Sequence, residues 1–463
     1  VEHQPPYRDR RPLEAVTADT IVATATPPGR GGVAVIRISG RTTEQIAEGL
    51  LGHVPVARTA TYLNFLGADR QPIDRGLACY FPAPHSYTGE AVLELYAHGS
   101  PVVTEALVKR AVQLGARRAG PGEFTQRAYL NGKLDLAQAE AVADLIEASS
   151  ELAARAALRS LDGEFSRRVL ALSESLAVLR SYVEAAIDFA DEKIDLLTDR
   201  ALSERLSAAQ TDLQALQGAG RRGRVLTQGL TVVIAGPPNA GKSTLLNRLA
   251  GHEAAIVTAT PGTTRDVLRE RIVLDGLPLQ LLDTAGLRLA TDEIEAEGVR
   301  RARAAFATAD RILFVVDAHA DPEAQAWRTE RDQLPSKVPV TLVLNKVDQV
   351  TSAARPREAS VADVIALSAR TGQGVDALIA HLKSTSGMDG GDDIFSARAR
   401  HLEALALADR ALADAAGQLR EGGALELVAE DLRRAGQALG QIVGEESSDE
   451  MLGRIFSSFC IGK

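Results

Sequence analysis

The sequence predicts a multidomain chain of three fold types: an α+β N-terminal domain, an α-helical central domain in two pieces, and an α/β domain inserted between the pieces. Three observations predict it. Residues from about 19 to 130 alternate short β-type runs with turn residues. Long apolar seams at helical spacing flank the middle of the chain on both sides. Between the flanks, Gly236-Pro237-Pro238-Asn239-Ala240-Gly241-Lys242-Ser243 follows the apolar run Leu230–Ala235 and precedes a helical pattern. At 463 residues the chain is also too long for one core.

Residues 1–18 are polar, with Arg8, Arg10 and Arg11 interrupted by acidic residues, and read as a flexible tail rather than a targeting segment. In the N-terminal domain, residues 19–132, Thr20–Ala25, Gly32–Ile38, Gly76–Phe81 and Ala91–Tyr96 read as strands, and Val102–Leu114 as a helix. Residues 133–228 form the first part of the helical domain. Phe165, Val169, Leu172, Leu176, Leu179 and Val183 recur there at spacings of four and three. The second part, residues 384–463, carries the seams Leu402, Leu405, Ala408, Leu412, Ala416, Leu419 and Leu425, Val428, Leu432, Ala435, Leu439, Ile442. Such seams need partners, so the simplest arrangement is one helical domain from both flanks with residues 229–383 inserted. Two independent helical hairpins are the alternative. Gly218–Gly229 and Gly387–Asp393 read as the hinges of the insertion.

Bulk composition narrows the function. A net charge of −9 argues against coating nucleic acid by electrostatics alone, though a local basic groove stays open. Two distant cysteines, Cys79 and Cys460, suggest neither a disulfide scaffold nor a zinc site and fit a reducing compartment. No stretch approaches a membrane span, so a cytoplasmic protein is expected.

The glycine-rich loop has the spacing GxxxxGK[ST] in a strand–loop–helix context, which implies a nucleoside triphosphate. Backbone N–H groups and the helix N-terminus would cradle phosphates, Lys242 would neutralise charge, and the Ser243 hydroxyl would hold Mg²⁺. Four signals follow in order: Pro261-Gly262-Thr263-Thr264, Asp283-Thr284-Ala285-Gly286, Asn345-Lys346-Val347-Asp348 and Ser368-Ala369-Arg370. The last three sit at the C-terminal ends of expected strands Leu279–Leu282, Val340–Leu344 and Val364–Leu367, where parallel sheets bind ligands. A carboxylate at Asp348 can accept guanine N1–H and the exocyclic amine, a pair adenine lacks, so the insert reads as a Ras-like P-loop GTPase domain. Leu287 stands where a water-orienting Gln would follow the Asp283–Gly286 motif. The positioning group must lie elsewhere, with the acidic run Asp292-Glu293-Ile294-Glu295 offering candidates, while the nearby Arg288 reads as a residue that stabilises the switch segment. An arginine finger, worth roughly 10³–10⁵ in rate, cannot be named from the sequence.

From about residue 19 onward the chain resembles the MnmE (TrmE) family of tRNA-modification GTPases. The residues that carry this are Ala25–Gly32 with Arg37-Ile38-Ser39-Gly40, Tyr87-Thr88-Gly89-Glu90, Pro121–Thr125, Asn131–Glu140, the GTPase insert, and the terminal Phe459-Cys460-Ile461-Gly462-Lys463. The resemblance implies that a K⁺ ion, bound when two GTPase domains meet, replaces the arginine finger. Its ligands would be the Asn239 side chain, the carbonyls of Thr258 and Thr260, and Thr263, while Thr264 would join Ser243 on Mg²⁺. Glu295 would orient the attacking water through a second water. The nucleotide contacts would run through Asn239, Ala240, Gly241, Lys242, Ser243 and Thr244, then Thr258, Ala259, Thr260, Pro261, Gly262, Thr263 and Thr264, and the three later motifs.

The resemblance further implies that the N-terminal domain binds a tetrahydrofolate derivative (5,10-methylene- or 5-formyl-) and mediates homodimerisation. The folate contacts would be Arg37, Glu94, Lys133 and Lys463. Read without it, Glu94 is a partly buried ion-pair partner and Lys133 a surface charge. The expected activity is GTP hydrolysis driving conformational change. With the flavoprotein MnmG in a heterotetramer, the family adds a carboxymethylaminomethyl or aminomethyl group to C5 of the tRNA wobble uridine, FAD and NADH belonging to the partner. Cys460 does not fit a prenylation signal, because Gly462 and Lys463 follow it without a polybasic run; it is either a catalytic thiol or a packed residue. The competing readings are an Era/Der-like ribosome-assembly GTPase and a GTP-regulated, folate-dependent one-carbon transferase.

Overall fold

The computed structural model describes residues 19–188, 200–251, 269–283, 306, 308–350, 363–387, 394–421, 424–445 and 448–462. They belong to two compact units, one comprising Val1–Ala143, Leu161–Ser173 and Gly436–Lys463, the other Asp144–Ser160 and Glu174–Ala435.

The first unit is built on a six-stranded sheet in the order β3-β4-β5-β2-β1-β6. Its strands are β1 (Thr20–Thr24), β2 (Gly31–Ser39), β3 (Thr61–Leu66), β4 (Pro72–Phe81), β5 (Val92–Gly99) and β6 (Ala116–Arg118). All pairs are antiparallel except β1 with β6. Period-two alternation sends Ile36, Ile38, Leu93 and Leu95 to one face, where Ile46 and Leu50 of helix α1 (Thr43–Leu51) and Leu107 and Ala111 of α2 (Pro101–Gln113) cover them. On the opposite face Ala23, Arg37, Glu94 and Cys79 lie in one cross-strand row. Four strands and α2 match the sequence reading to within a few residues. It missed β3, the three-residue β6, α1 and the eight-residue α3 (Glu123–Leu130), all too short or too polar to show a clear period.

Helix Asp449–Ser457 starts at Ser448, whose hydroxyl accepts the Met451 N–H. It packs Leu452 and Phe456, with the following Phe459, onto Tyr129 and Leu136. The chain then runs beside Pro121–Gly122, where Ile461 bridges Pro121 and Cys460 O accepts the Gly122 N–H at 3.3 Å. Gly462 has φ +96, and a Cβ there would lie 2.3 Å from Thr24 O.

The second unit holds a sheet in the order β12-β11-β10-β7-β9-β8. Its strands are β7 (Leu230–Ala235), β8 (Arg269–Leu274), β9 (Leu277–Asp283), β10 (Arg311–Asp317), β11 (Val340–Asn345) and β12 (Asp363–Ala366). Every pair is parallel except β8 with β9. The continuous apolar run of β10, buried on both faces, is the centre of this sheet and was absent from the sequence reading.

Helix α4 (Arg200–Gln228) lies along helix Ala399–Glu421, with Gln210 Nε2 donating to Leu412 O and Gln217 Nε2 to Leu405 O, at 3.3 and 3.1 Å. In the seam between them Leu405, Ala408 and Leu412 are fully buried.

One expectation is corrected here. Gly218–Gly229 is not an open hinge, because the helix continues through it to Gln228. A Cβ on Gly223 would sit 1.8 Å from Phe395 O, and one on Gly220 3.1 Å from Leu402. These glycines let a second backbone segment approach the helix; only Gly229, at φ +80, ends it. Of the second expected hinge, Gly387 is described and residues 388–393 are not.

Candidate functional site

The glycine-rich loop leaves β7 through three left-handed residues, Gly236, Asn239 and Gly241, at φ +131, +62 and +93. A Cβ on Gly236 would be 2.2 Å from Val315 O of β10, and one on Gly241 2.3 Å from Asn345 Nδ2, so neither position has room for a side chain. The turn delivers the chain into α5 (Lys242–Ala250), whose N-cap is the left-handed Gly241. Lys242 is buried, and its Nζ donates to Gly236 O at 2.9 Å and Pro237 O at 2.7 Å. Ser243 and Thr244 are exposed in the first turn.

The loop is tied to the end of β11, one strand beyond β10 in the sheet. Asn345, 2% exposed, donates from Nδ2 to Ala240 O at 2.8 Å and accepts the Ala369 N–H at 2.9 Å. Lys346 Nζ donates to Asn239 O at 2.8 Å and pairs with Asp317 at 2.7 Å. Burial works against the Asp317 carboxylate, but Lys346 and two backbone N–H groups outweigh it and hold the group below its usual range. Val347 opens a short 3₁₀ turn that carries Asp348. The neighbouring Ser368 hydroxyl and the Arg370 guanidinium hold the Asp348 carboxyl below the ordinary carboxylate range. Its Oδ2 takes Arg370 Nη2, while its Oδ1 is buried with no hydrogen-bond partner among the described residues.

An orphaned, ionised carboxylate oxygen beside a phosphate-type cradle fits a base that offers N–H donors, as guanine does. Arg370 has a largely exposed guanidinium, so an arriving base can replace its bond without breaking packing.

Several expected site residues lie outside the described residues: Thr258, Ala259, Thr260, Pro261, Gly262, Thr263, Thr264, Thr284, Ala285, Gly286, Arg288, Glu295 and Lys463. Asp283 is described as the last residue of β9. Among the described residues no group of three His, Cys, Asp or Glu is placed to hold a metal ion, and no helix is long and apolar enough to cross a membrane.

A second polar cluster stands on the face of the N-terminal sheet opposite α1 and α2, beside the buried Ile21, Ala23 and Phe124. Arg37 Nε donates to Glu94 Oε1 and Tyr96 OH to Glu94 Oε2, both at 2.8 Å. The Arg37 guanidinium lies 5.3 Å from the Tyr87 ring centre and 5.7 Å from that of Phe124. Burial, then the Glu94 bond, pushes the Tyr96 phenol up to about 12, and burial followed by Glu94 also pushes the Cys79 thiol up.

The loop carrying Tyr87 is pinned by Tyr87 OH to Thr125 Oγ1 (2.9 Å) and Asn131 Nδ2 to Thr88 O (2.7 Å). Beneath it Arg127, 1% exposed, gathers Asp19, Glu90 and Glu123. Lys133 is exposed, its stem against Gly89. Arg37 and Glu94 are thus in direct contact, while Lys133 stands against the same loop at Gly89. The ion-pair reading of Glu94 and the surface-charge reading of Lys133 both describe what is seen. Each Glu94 oxygen keeps a lone pair, so the cluster can still accept an amino donor such as a pterin edge.

Sequence reasoning missed Tyr96, Asp317 and Arg127. Tyr96 carried a signal, sitting two residues beyond Glu94 on the same strand face; Asp317 pairs across a long sequence separation, and so does Arg127 apart from its bond to Glu123 four residues away.

Two family profiles match the chain. One, described as the MnmE helical domain, spans residues 136–460, and the other, the GTP-binding protein TrmE N-terminus, spans residues 20–133. The chain is 56% identical over 457 residues to the tRNA modification GTPase MnmE of Pseudomonas aeruginosa, covering 97% of this chain and 100% of that one. It is 53% identical over 455 residues to the protein of the same name from Yersinia pseudotuberculosis, covering 96% and 100%. Among solved structures, a point variant of Aquifex aeolicus Era bound to GDP.AlF4- is similar at 27% identity and TM-score 0.28, over 39% of this chain and 66% of that one.

Proposed function

Because the chain belongs to the MnmE (TrmE) family of tRNA-modification GTPases, we propose that it hydrolyses GTP to GDP and phosphate in modifying the tRNA wobble uridine. The observation that carries the nucleotide half is the buried, partnerless Asp348 Oδ1 just past the C-terminal end of β11, in the same parallel sheet whose strand β7 feeds the Gly236–Ser243 cradle. In this reading Asp348 accepts guanine N1–H and the amino group, giving up its Arg370 bond, and Asn345 and Lys346 brace the loop under the base. Lys242 turns from the Gly236 and Pro237 carbonyls to the phosphates. Ser243 and Thr264 hold Mg²⁺, and Asn239, Thr258, Thr260 and Thr263 hold K⁺; these ions supply charge neutralisation at the γ-phosphate. Glu295 positions the water, with Arg288 steadying the same segment.

The tRNA half follows the family. The chain works as a homodimer, divided as residues 19–132, a helical domain 133–228 plus 384–463, and a GTPase insert 229–383. With MnmG and its FAD and NADH in a heterotetramer, it serves aminomethyl or carboxymethylaminomethyl addition at C5 in the cytoplasm. Arg37, Glu94, Lys133 and Lys463 receive the tetrahydrofolate derivative, with Cys460 in the same tail.

Two measurements test this. GTPase activity should be stimulated by K⁺ and unsupported by Na⁺; equal rates in both salts remove the Asn239 role. A strain lacking the protein should lose C5 modification of the wobble uridine, and normal modification there defeats the tRNA assignment.

A further inference from the structure

We propose that Arg248, near the end of α5, is a positioning residue for guanine selectivity that acts through the Ser368–Arg370 loop on Asp348. Its Nε donates to Ala369 O at 2.9 Å and its Nη2 to Arg370 O. One planar guanidinium on two successive carbonyls fixes the rotation of the peptide between them. Asn345 Oδ1 holds the Ala369 N–H from the other side, so Ala369 is clamped at both its donor and its acceptor. Of the residues bracketing that clamp, Arg370 donates to Asp348 Oδ2, and Ser368 with Arg370 lowers the Asp348 carboxyl pKa.

A carboxylate that must receive two donors at fixed spacing discriminates only as well as its plane is oriented, and sites of this kind tolerate errors of about 0.5 Å. Arg248 therefore governs base recognition although it touches no base. It also stands on the helix that begins at Lys242, six residues earlier and about 9 Å along the axis at 1.5 Å per residue. A single rigid helix thereby carries the phosphate contact at one end and the clamp on the base loop near the other. A base misfit at Ser368–Arg370 would be felt by the phosphate cradle through α5.

The inference rests on Asp348 as the guanine acceptor, and the experiment separates the two. In the full-length protein, GDP affinity is titrated for Arg248→Ala, Arg248→Lys, Asp348→Ala and the Arg248→Ala/Asp348→Ala double variant, with tripolyphosphate competition as a base-free probe of the cradle. Arg248→Ala should weaken GDP about fivefold, the scale of one hydrogen bond. Arg248→Lys should recover little of that, because a point charge cannot span two carbonyls. Tripolyphosphate affinity should hold, and in turnover the loss should fall on KM rather than kcat. In the Asp348→Ala background Arg248→Ala should cost nothing further.

Unchanged GDP affinity, a parallel loss of tripolyphosphate, or full additivity in the double variant each overturns the proposal. If Asp348→Ala alone leaves GDP affinity intact, the guanine assignment fails first and the role of Arg248 with it.

Discussion

Around Gly236–Ser243 most directed groups are main-chain N–H and C=O, set by three left-handed residues and a helix start. Around Arg37 and Arg127 most are side chains, reaching across strands at Arg37–Glu94 and from helix α3 to loops at Arg127. A cradle of backbone depends on local conformation, so its information is contiguous and shows as a motif. A cluster of side chains depends on tertiary placement of strands, loops and a helix, so its information is scattered over Asp19, Arg37, Glu90, Glu94, Glu123 and Arg127. The first should lose function when its one charged side chain goes and keep its fold. The second should lose its fold.

Lys242→Ala tests this most severely. Triphosphate turnover should fall roughly 10²-fold or more, while the Tm moves little, since the two carbonyls that lose Nζ can take water. A large drop in Tm would show that the cradle leans on Lys242 as a structural tie.

Arg127→Ala should do the reverse. It leaves three carboxylates around a buried vacancy, and breaking such a pair costs about 3–5 kcal/mol, read as a lowered urea midpoint. A stable Arg127→Ala variant would mean that the cluster is not what holds the Tyr87 loop. Between these lies Gly223→Ala, which asks one methyl to fit 1.8 Å from Phe395 O. Overpacking of this kind costs about 1–3 kcal/mol, and GTP turnover at saturation should survive it at temperatures where the variant is folded.

The smallest effect belongs to a side-chain network inside the parallel sheet itself. At the opposite ends of the strands from the cradle, Arg311 bonds Thr341 (2.7 Å), Asp363 (3.1 Å) and His381 (3.2 Å). Burial, with Arg311 adding to it against the pull of Asp363, holds the His381 pKa below 6.5. The unfolded chain then binds a proton more readily than the folded one. Stability is full above about 6.5 and declines as pH falls through that value toward the folded one. His381→Gln should flatten this slope in pH-dependent unfolding without changing GDP affinity; an unaltered slope assigns the proton elsewhere.

How much was legible follows the same division. Of the expected nucleotide contacts, the described Asn239, Lys242, Asn345 and Asp348 lie at a helix start or at strand ends and the turns after them, where motif spacing is local geometry. Even so, the bracing of Lys346 by Asp317 was invisible, since it depends on β10 lying between β7 and β11, and that strand was not foreseen. In the N-terminal domain the residues assigned to the folate site came from the family resemblance. The sequence alone suggested only an ion pair for Glu94, and nothing in it marked Arg127, among the largest fully buried side chains of the chain. The Gly218–Gly229 stretch misled for a related reason: glycine signals either freedom or close approach, and only the neighbour at Phe395 says which.

That neighbour also sets a schedule. Thr227 Oγ1 bonds Ala397 O across 170 residues of sequence, beside the Gly223–Phe395 approach. At synthesis rates of roughly 5–20 residues per second, the last turns of α4 wait on the order of 10–30 s for their packing partner to leave the ribosome. The parallel sheet encoded between them is complete before that moment, so the nucleotide-binding fold matures while the helix that leads into it is still half-dressed. Protease cleavage near Gly223 in chains stalled before residue 394, and its disappearance once residue 397 has emerged, would time the event.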